Sequence, residues 1–266
     1  MRKIDVDELK QLQLQILDQV SAYCERENIH YWIDCGTLLG AIRHKGFIPW
    51  DDDIDIGMLR EDYDKFVAGF NKANDRYQCW TMDNMPDFPF SFAKVMDVKT
   101  ELYEPNKKGG IKLCVNIDVF PYDNAPEDEQ SLNQIYDKRD RHDALHRRRT
   151  LPKCGEDGQI KRIVRYILYM FLQIIPRQYL IDRINNNVKK YKDIETHYVG
   201  NFTSYARILC RKEVFDSFID VEFEGKKYKA PVGYDTWLKA FYGDYMKLPP
   251  EEQQVSNHKF EAYVCE

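Results

Sequence analysis

The sequence predicts an α/β chain with a mixed sheet and a mostly helical insertion, on the strength of three observations. Over the first 125 residues, runs rich in β-branched and aromatic residues alternate with glycine turns and short amphipathic segments. From Pro126 to about residue 200 the pattern changes to long stretches of 3.6-residue periodicity. Strand character then returns at 218–230. The expected organisation is a core over 1–125, a helical region over 126–200, and a C-terminal part over 201–266 whose strand pair and helix complete the core.

Each element has a local reason. Leu9, Leu12, Ile16, Val20 and Tyr23 recur at spacings of three and four, so 6–24 reads as a helix with one apolar face. IHYWIDC at 29–35 reads as a strand that stops at Gly36, and TLLGAIRHKG as a short helix or turn ending at Gly46. A second strand is expected at 53–58, then a helix at 61–72 that buries Tyr63, Phe66, Val67 and Phe70. Further strands are expected at 77–82, 90–97 and 112–120. Helical patterns cover 127–150, 159–175 and 178–192. A hairpin joins 218–223 to 227–230 through Glu224, Gly225 and Lys226, and a last helix covers 234–242.

Of 266 residues, 43% are hydrophobic and 31% charged, which is enough apolar material for a sizeable core and argues against disorder. A net charge of -5 makes the whole chain a poor partner for nucleic acid. Seven cysteines form neither a C-x-x-C pair nor a zinc-type spacing, so a reduced, cytoplasmic protein is expected. MRKIDVDELKQLQLQ carries charge and glutamine where a secretory signal needs an apolar stretch.

The stretch that needs explaining is FIPWDDDIDIG at 47–57. Carboxylates packed among apolar residues repel one another and resist burial unless something positive joins them. In a strand Asp53 and Asp55 point to one face and Asp52 to the other. Two carboxylates sharing one face can hold one hard divalent cation, or two, as in phosphoryl transfer. A calcium loop started at Asp51 fails, because Ile56 stands at its glycine position and Asp62 at its closing glutamate. VNIDVFP at 115–121 supplies a third acid, Asp118, on another apolar strand, alternating away from Val115, Ile117 and Val119.

Cys35-Gly36-Thr37, Asp53-Ile54-Asp55 and Ile117-Asp118-Val119 follow in the order found in the nucleotidyltransferase fold superfamily. GTLLGAIRHKGFIPWDDDIDIGM resembles, more narrowly, the LicD family of phosphocholine transferases and fukutin-related proteins. The likeness continues through FAKVMDVKT, IDVFPYD, PVGYDTWLKAFYGDYMKLPP and SNH at 256–258. The resemblance implies transfer of a phosphoalcohol from a cytidine diphosphate donor, typically CDP-choline, to a glycan hydroxyl with release of CMP. The acceptor would be a lipopolysaccharide or teichoic acid, or its lipid-linked precursor. Asp53 and Asp55 would hold Mg²⁺ or Mn²⁺, and Asp118 would complete the metal site or act as base. Two other readings stay open: a nucleotidyltransferase that releases pyrophosphate, and a non-catalytic, membrane-associated glycan assembly factor.

Other residues are candidate substrate contacts. Gly36 can admit phosphates to the backbone, with Thr37 as hydroxyl partner. Arg43, Lys45 and Lys94 can clamp phosphate oxygens. Trp50, Tyr122 and Tyr234 can line a pocket for a base or a quaternary ammonium. Asp52, beside the acid pair, and Asp235, in the PVGYDTW stretch, complete the set. His258 is isolated and gets no role. KRIVRYILYMFLQIIPRQYL at 161–180 is apolar between arginines, and its ~14 residues from Ile163 to Pro176 fall short of the about 20 a membrane span needs. With LHRRRT at 145–150 it makes a basic, apolar block over 145–180, expected either on the inner face of the plasma membrane or packed on the sheet.

Overall fold

The computed structural model describes residues 1–86, 88–104, 111–150, 159–255 and 260–265. A short strand β1 (Arg2–Ile4) leads to helix α1 (Val6–Arg26), whose first turn is capped by the Asp5 carboxylate accepting from the Glu8 amide at 2.9 Å. Strand β2 (Trp32–Ile33) and helix α2 (Cys35–His44) follow, then β3 (Asp55–Leu59), α3 (Arg60–Ala73), β4 (Tyr77–Trp80), β5 (Ala93–Glu104) and β6 (Ile111–Ala125). The helical part holds α4 (Glu129–Thr150), α5 (Gln159–Ile174) and α6 (Arg177–Val188). The chain closes with β7 (Tyr198–Gly200), β8 (Leu209–Arg211), the hairpin β9 (Phe218–Phe223) and β10 (Lys226–Pro231), helix α7 (Tyr234–Tyr242) and β11 (Glu261–Val264).

The sheet runs in the order β1-β11-β5-β6-β3-β2, with β4 also on β5, and β7 and β8 continuing from the end of β6. It is mixed: β3 and β6 are parallel, and the other pairs are antiparallel. The crossover between the parallel pair carries α3, as a parallel connection must carry an element on one face. Between Asp97 and Leu102 the β5–β6 register shifts, so the two ends of β5 pair with different neighbours, β4 and β11. Buried Phe66 and Phe70 of α3, Ile16, Leu17 and Val20 of α1, and Val115, Ile117 and Val119 of β6 belong to one continuous core.

The expected helices are present to within a few residues. The expected strand at 29–35 contracts to Trp32–Ile33, because the Asp34 amide bonds Asp55 O at 2.9 Å and the chain then turns into α2 through Cys35 at φ 46°. Strands β1, β7, β8 and β11 have three or four residues each, too short for alternation to stand out. Beside the sheet, α4 and α6 pack through Ile135, Tyr136 and Val188 with Phe202, and Asn187 donates to Ile135 O at 2.9 Å.

Gly57 lies opposite Trp32 across β2 and β3, and a Cβ there would stand 2.5 Å from the indole. Trp32 is fully buried against Tyr122 and Phe215, with ring centroids at 5.0 and 4.4 Å, so it has no room to retreat. Gly57→Ala should destabilise the protein by about 1–3 kcal/mol, as overpacking does, and urea unfolding followed by tryptophan fluorescence measures the loss.

Candidate active site

Parallel pairing sets Asp55 of β3 directly opposite Asp118 of β6, and the Asp118 amide bonds Ile54 O at 2.9 Å just before β3 begins. Paired residues on neighbouring strands point to the same face about 4.8 Å apart. Antiparallel pairing on the other side of β6 sets Lys94 of β5 opposite Asp118. The Lys94 ammonium donates to Asp118 Oδ1 and, at 3.0 Å, to Asn116 Oδ1, and it lies 4.9 Å from the Phe90 ring centre. The three strand neighbours therefore form a row of carboxylate, carboxylate and ammonium.

Two further acids join the row. Asp53 acts on Asp55, and burial with the charges of Asp53, Asp118, Asp34 and Asp51 pushes the Asp55 carboxyl well above its ordinary range. Burial, the Asp53 charge and a hydrogen bond shared with Asp53 push Asp51 up to about 8. Two unit charges about 4 Å apart repel by roughly 4 kcal/mol at an effective dielectric of 20. Lys94 offsets one carboxylate of the group, and the other carboxyls relieve their repulsion by holding protons above the ordinary range.

The local sequence builds this arrangement. Thr37 is buried, and its Oγ1 accepts from the Asp55 amide at 2.9 Å, pinning the start of β3 to α2. Gln13 of α1 donates to Asp52 O at 3.1 Å and Asn116 O at 3.2 Å, tying the acid loop to β6 from behind. Gly36 is required because Asp51 Oδ2 lies 2.4 Å from where a Cβ would stand. That carboxylate sits at the first turn of α2, where the helix end favours an anion. Burial pushes the Cys35 thiol up, and the charges of Asp34, Asp55, Asp53 and Asp118 add to it, so this thiol stays protonated.

The structure brings Asp53, Asp55, Asp118 and Lys94 together, and it places the other expected site residues around them or away from them. Tyr122 does not line an open pocket: it is buried, and its hydroxyl donates to Asp34 Oδ2. Thr37 faces the β3 backbone, and the close place at Gly36 is taken by Asp51 rather than left open. Asp52 is buried in the segment just before β3, where its charge acts on Asp51. Arg43 donates to Tyr245 O at 2.7 Å and thus fixes the end of α7. Lys45 is exposed at φ 62° and ends α2. Asp235 is exposed and held by Lys239 and Tyr245. Trp50 is half-buried with its ring edge towards His44, and Tyr234 packs on the core. His258 and the SNH stretch lie outside the described residues.

Sequence reasoning missed Asp51, Asn116, Asp34 and Tyr242. Asp51 could have been found by its spacing of two from Asp53 and four from Asp55. Tyr242 keeps 40% of its surface exposed, yet burial and the nearby Cys35, Asp55, Asp34 and Asp51 raise its hydroxyl well above the ordinary tyrosine value. Nothing local in its sequence marks it.

Among the described residues, no group of three or more His, Cys, Asp or Glu side chains is already disposed as a metal site. The donors nevertheless fit a hard cation. They are all carboxyl oxygens, they crowd one another enough to hold the Asp55 and Asp51 protons above the ordinary range, and an ammonium has been drawn onto one of them.

A mixed α/β sheet with acids at adjoining strands, one of them following a glycine turn, defines a protein of the nucleotidyltransferase type. Residues 28–152 match the family model described as "LicD/FKTN/FKRP, nucleotidyltransferase domain". The chain is 33% identical over 274 residues to lipopolysaccharide cholinephosphotransferase LicD of Haemophilus influenzae, which covers 99% of this chain and 100% of that protein. A 38-residue stretch is 50% identical to ribitol 5-phosphate transferase FKRP of Homo sapiens, over 14% of this chain and 8% of that protein. The chain belongs to the LicD family.

The acid cluster has a sign that stability can read. An unfolded aspartate loses its proton near 3.8, whereas Asp51 keeps its proton to about 8. Between those values the native state binds more protons than the unfolded state, so stability falls as pH rises. In EDTA, the melting temperature should drop by several degrees between pH 5 and pH 8.5, and Asp53→Asn should flatten that slope in a thermal-shift series.

Proposed function

We propose that this protein is a phosphotransferase that moves phosphocholine from CDP-choline to a hydroxyl of a cell-surface glycan or its lipid-linked precursor, releasing CMP. The observation that carries the reading is the pairing of Asp55 with Asp118 inside an all-carboxylate cluster, next to a single strand-borne ammonium. The cholinephosphotransferase name of the Haemophilus influenzae relative supports phosphocholine and lipopolysaccharide as the transferred group and the acceptor class. The short match to a ribitol 5-phosphate transferase keeps a second alcohol in the test.

The bond that breaks joins the phosphocholine phosphorus to the oxygen bridging it to CMP, and the bond that forms joins that phosphorus to the acceptor oxygen. The acceptor hydroxyl loses a proton, and a carboxylate of the cluster takes it; in this reading Asp118 either does so or shares a cation. Phosphoryl transfer needs positioning and charge neutralisation more than covalent help. Asp53, Asp55 and Asp118 would hold Mg²⁺ or Mn²⁺, which when bound neutralises the donor diphosphate. Lys94 adds a cation that can stay on Asp118 or turn to a phosphate oxygen. Thr37 and Gln13 hold the acids in place, and Arg43 keeps α7 against them. A lipid-linked acceptor would bring the protein to the inner face of a membrane.

Asp55→Asn and Asp118→Asn should each lower CMP release from CDP-choline by at least about 100-fold, the scale on which single catalytic carboxylates act. Asp55→Asn should melt no lower than the parent, because it removes repulsion, whereas Asp118→Asn leaves the buried Lys94 ammonium without its carboxylate and should melt lower. The assay compares CDP-choline, CDP-ribitol and CTP with Mg²⁺ and a glycan acceptor. Pyrophosphate from CTP would favour nucleotidyl transfer, and no turnover with any donor would favour an assembly factor.

A further inference from the structure

Helix α5 presents its apolar side chains to solvent. Ile160, Ile163, Val164, Ile167, Met170, Phe171 and Ile174 are 49–79% exposed. At 3.6 residues per turn they fall within an arc of roughly 120°, one continuous stripe along the helix. Leu172, on another side of the helix, is the one buried side chain among the described ones of α5. The helix is tied at its end to α4, where Gln173 donates to Arg149 O at 3.0 Å and Arg149 donates to Ile175 O at 3.2 Å. A core helix would turn its stripe inwards; this one is anchored by its other side.

Charge says what covers the stripe. Within Gln159–Ile174 there is no acidic residue, while Lys161 and Arg162 flank the apolar arc on its two sides and Arg165 lies on the opposite side of the helix. This is a positive helix on a chain of net charge -5. Tyr166 borders the arc, as aromatic residues do at the boundary between lipid and water, and Tyr169 stacks on it from the side away from the arc. A second copy of α5 would bring like charges together, whereas an anionic lipid surface neutralises them. At 16 residues the helix is too short to span a bilayer, and no helix among the described residues is long and apolar enough to cross one. The arginine run before it is largely used within the protein: Arg149 bonds Ile175 O, and Arg147 lies by Asp143 and over the Tyr205 ring. The membrane block expected over 145–180 thus contracts to α5.

We propose that α5 lies flat on a bilayer bearing anionic headgroups, with Ile163, Ile167 and Phe171 inserted and the exposed Lys161 and Arg162, on its two flanks, reaching to headgroup level. The helix also fixes how the protein faces the membrane. Arg177, at the start of α6, donates to Met82 O and, at 2.8 Å, to Met85 O, in the loop that leads into β5 and Lys94. Docking through α5 therefore brings that loop, which precedes the strand bearing Lys94, towards the lipid surface. The proposal rests on α5 itself and does not depend on which group the cluster transfers.

The test is flotation of the full-length protein with vesicles of phosphatidylcholine alone or with one third phosphatidylglycerol, without donor or acceptor. The parent should float with the anionic vesicles, at least tenfold more than with neutral ones, and lose this in high salt. Ile167→Asp/Phe171→Asp should lower flotation at least tenfold with an unchanged melting temperature, and Val255→Asp, at an exposed apolar position elsewhere, should float like the parent. Equal partition onto both vesicle types, or a double variant that floats like the parent, would overturn the proposal. So would light scattering that shows a parent dimer split by the double substitution, or a clear fall in that variant's melting temperature, since either would mean that protein covers the stripe.

Discussion

The parallel pairing of β3 with β6 is the constraint on which the rest of the molecule turns. It places Asp55 beside Asp118 by backbone geometry alone, before any side-chain preference acts, and two carboxylates at that spacing repel. The strands can hold them there because the core beneath is deep: Ile54, Ile56, Val115, Ile117 and Val119 are all but fully buried. Each such side chain contributes about 1.5–3 kcal/mol by leaving water, so a handful outweighs the repulsion. Hydrophobic burial thus maintains a local arrangement that electrostatics would disperse. The stored repulsion is what gives the site its appetite for positive charge, and Lys94 meets part of it.

A buried hub behind the cluster explains why the C-terminal part is needed. Asp34 is fully buried, and its carboxylate accepts from Tyr122 of β6 and, at 2.7 Å, from the Trp237 indole of α7. Burial raises the Asp34 carboxyl, while these hydrogen bonds act the other way. One side chain therefore fastens the turn before α2, the strand bearing Asp118 and a helix some two hundred residues further on. Through that fastening Tyr242 reaches the acids, and Arg43 closes the circle by gripping Tyr245 O. The α2 turn, with Cys35 in the left-handed region and Gly36 under Asp51, is held between these contacts.

Much of this was legible in the sequence, for physical reasons. Long amphipathic helices declare themselves by repetition, and α1, α3 and α7 fall where their apolar spacing puts them. The alternation in DIDIG and VNIDVF put Asp55 and Asp118 on the faces of their strands opposite the flanking isoleucines and valines. What the sequence hid were contacts that only topology makes. Tyr122 alternates in phase with Asp118 and so invites a role at the substrate, but α7 covers that end of β6 and Asp34 takes its hydroxyl. Thr37 looked like a phosphate ligand until β3 came to rest on it. Strands of three residues, such as β1 and β8, exist because a neighbour completes their hydrogen bonds, and no local pattern records the neighbour.

The central claim is that these acids share one divalent cation, and diffraction from crystals grown with Mn²⁺ addresses it most directly. The account predicts an anomalous peak within about 2.0–2.6 Å of carboxylate oxygens of Asp53, Asp55 and Asp118, the range for hard cations on oxygen. A peak at a site that excludes Asp55 and Asp118, or no peak at saturating Mn²⁺ with Lys94 still on Asp118, would contradict it.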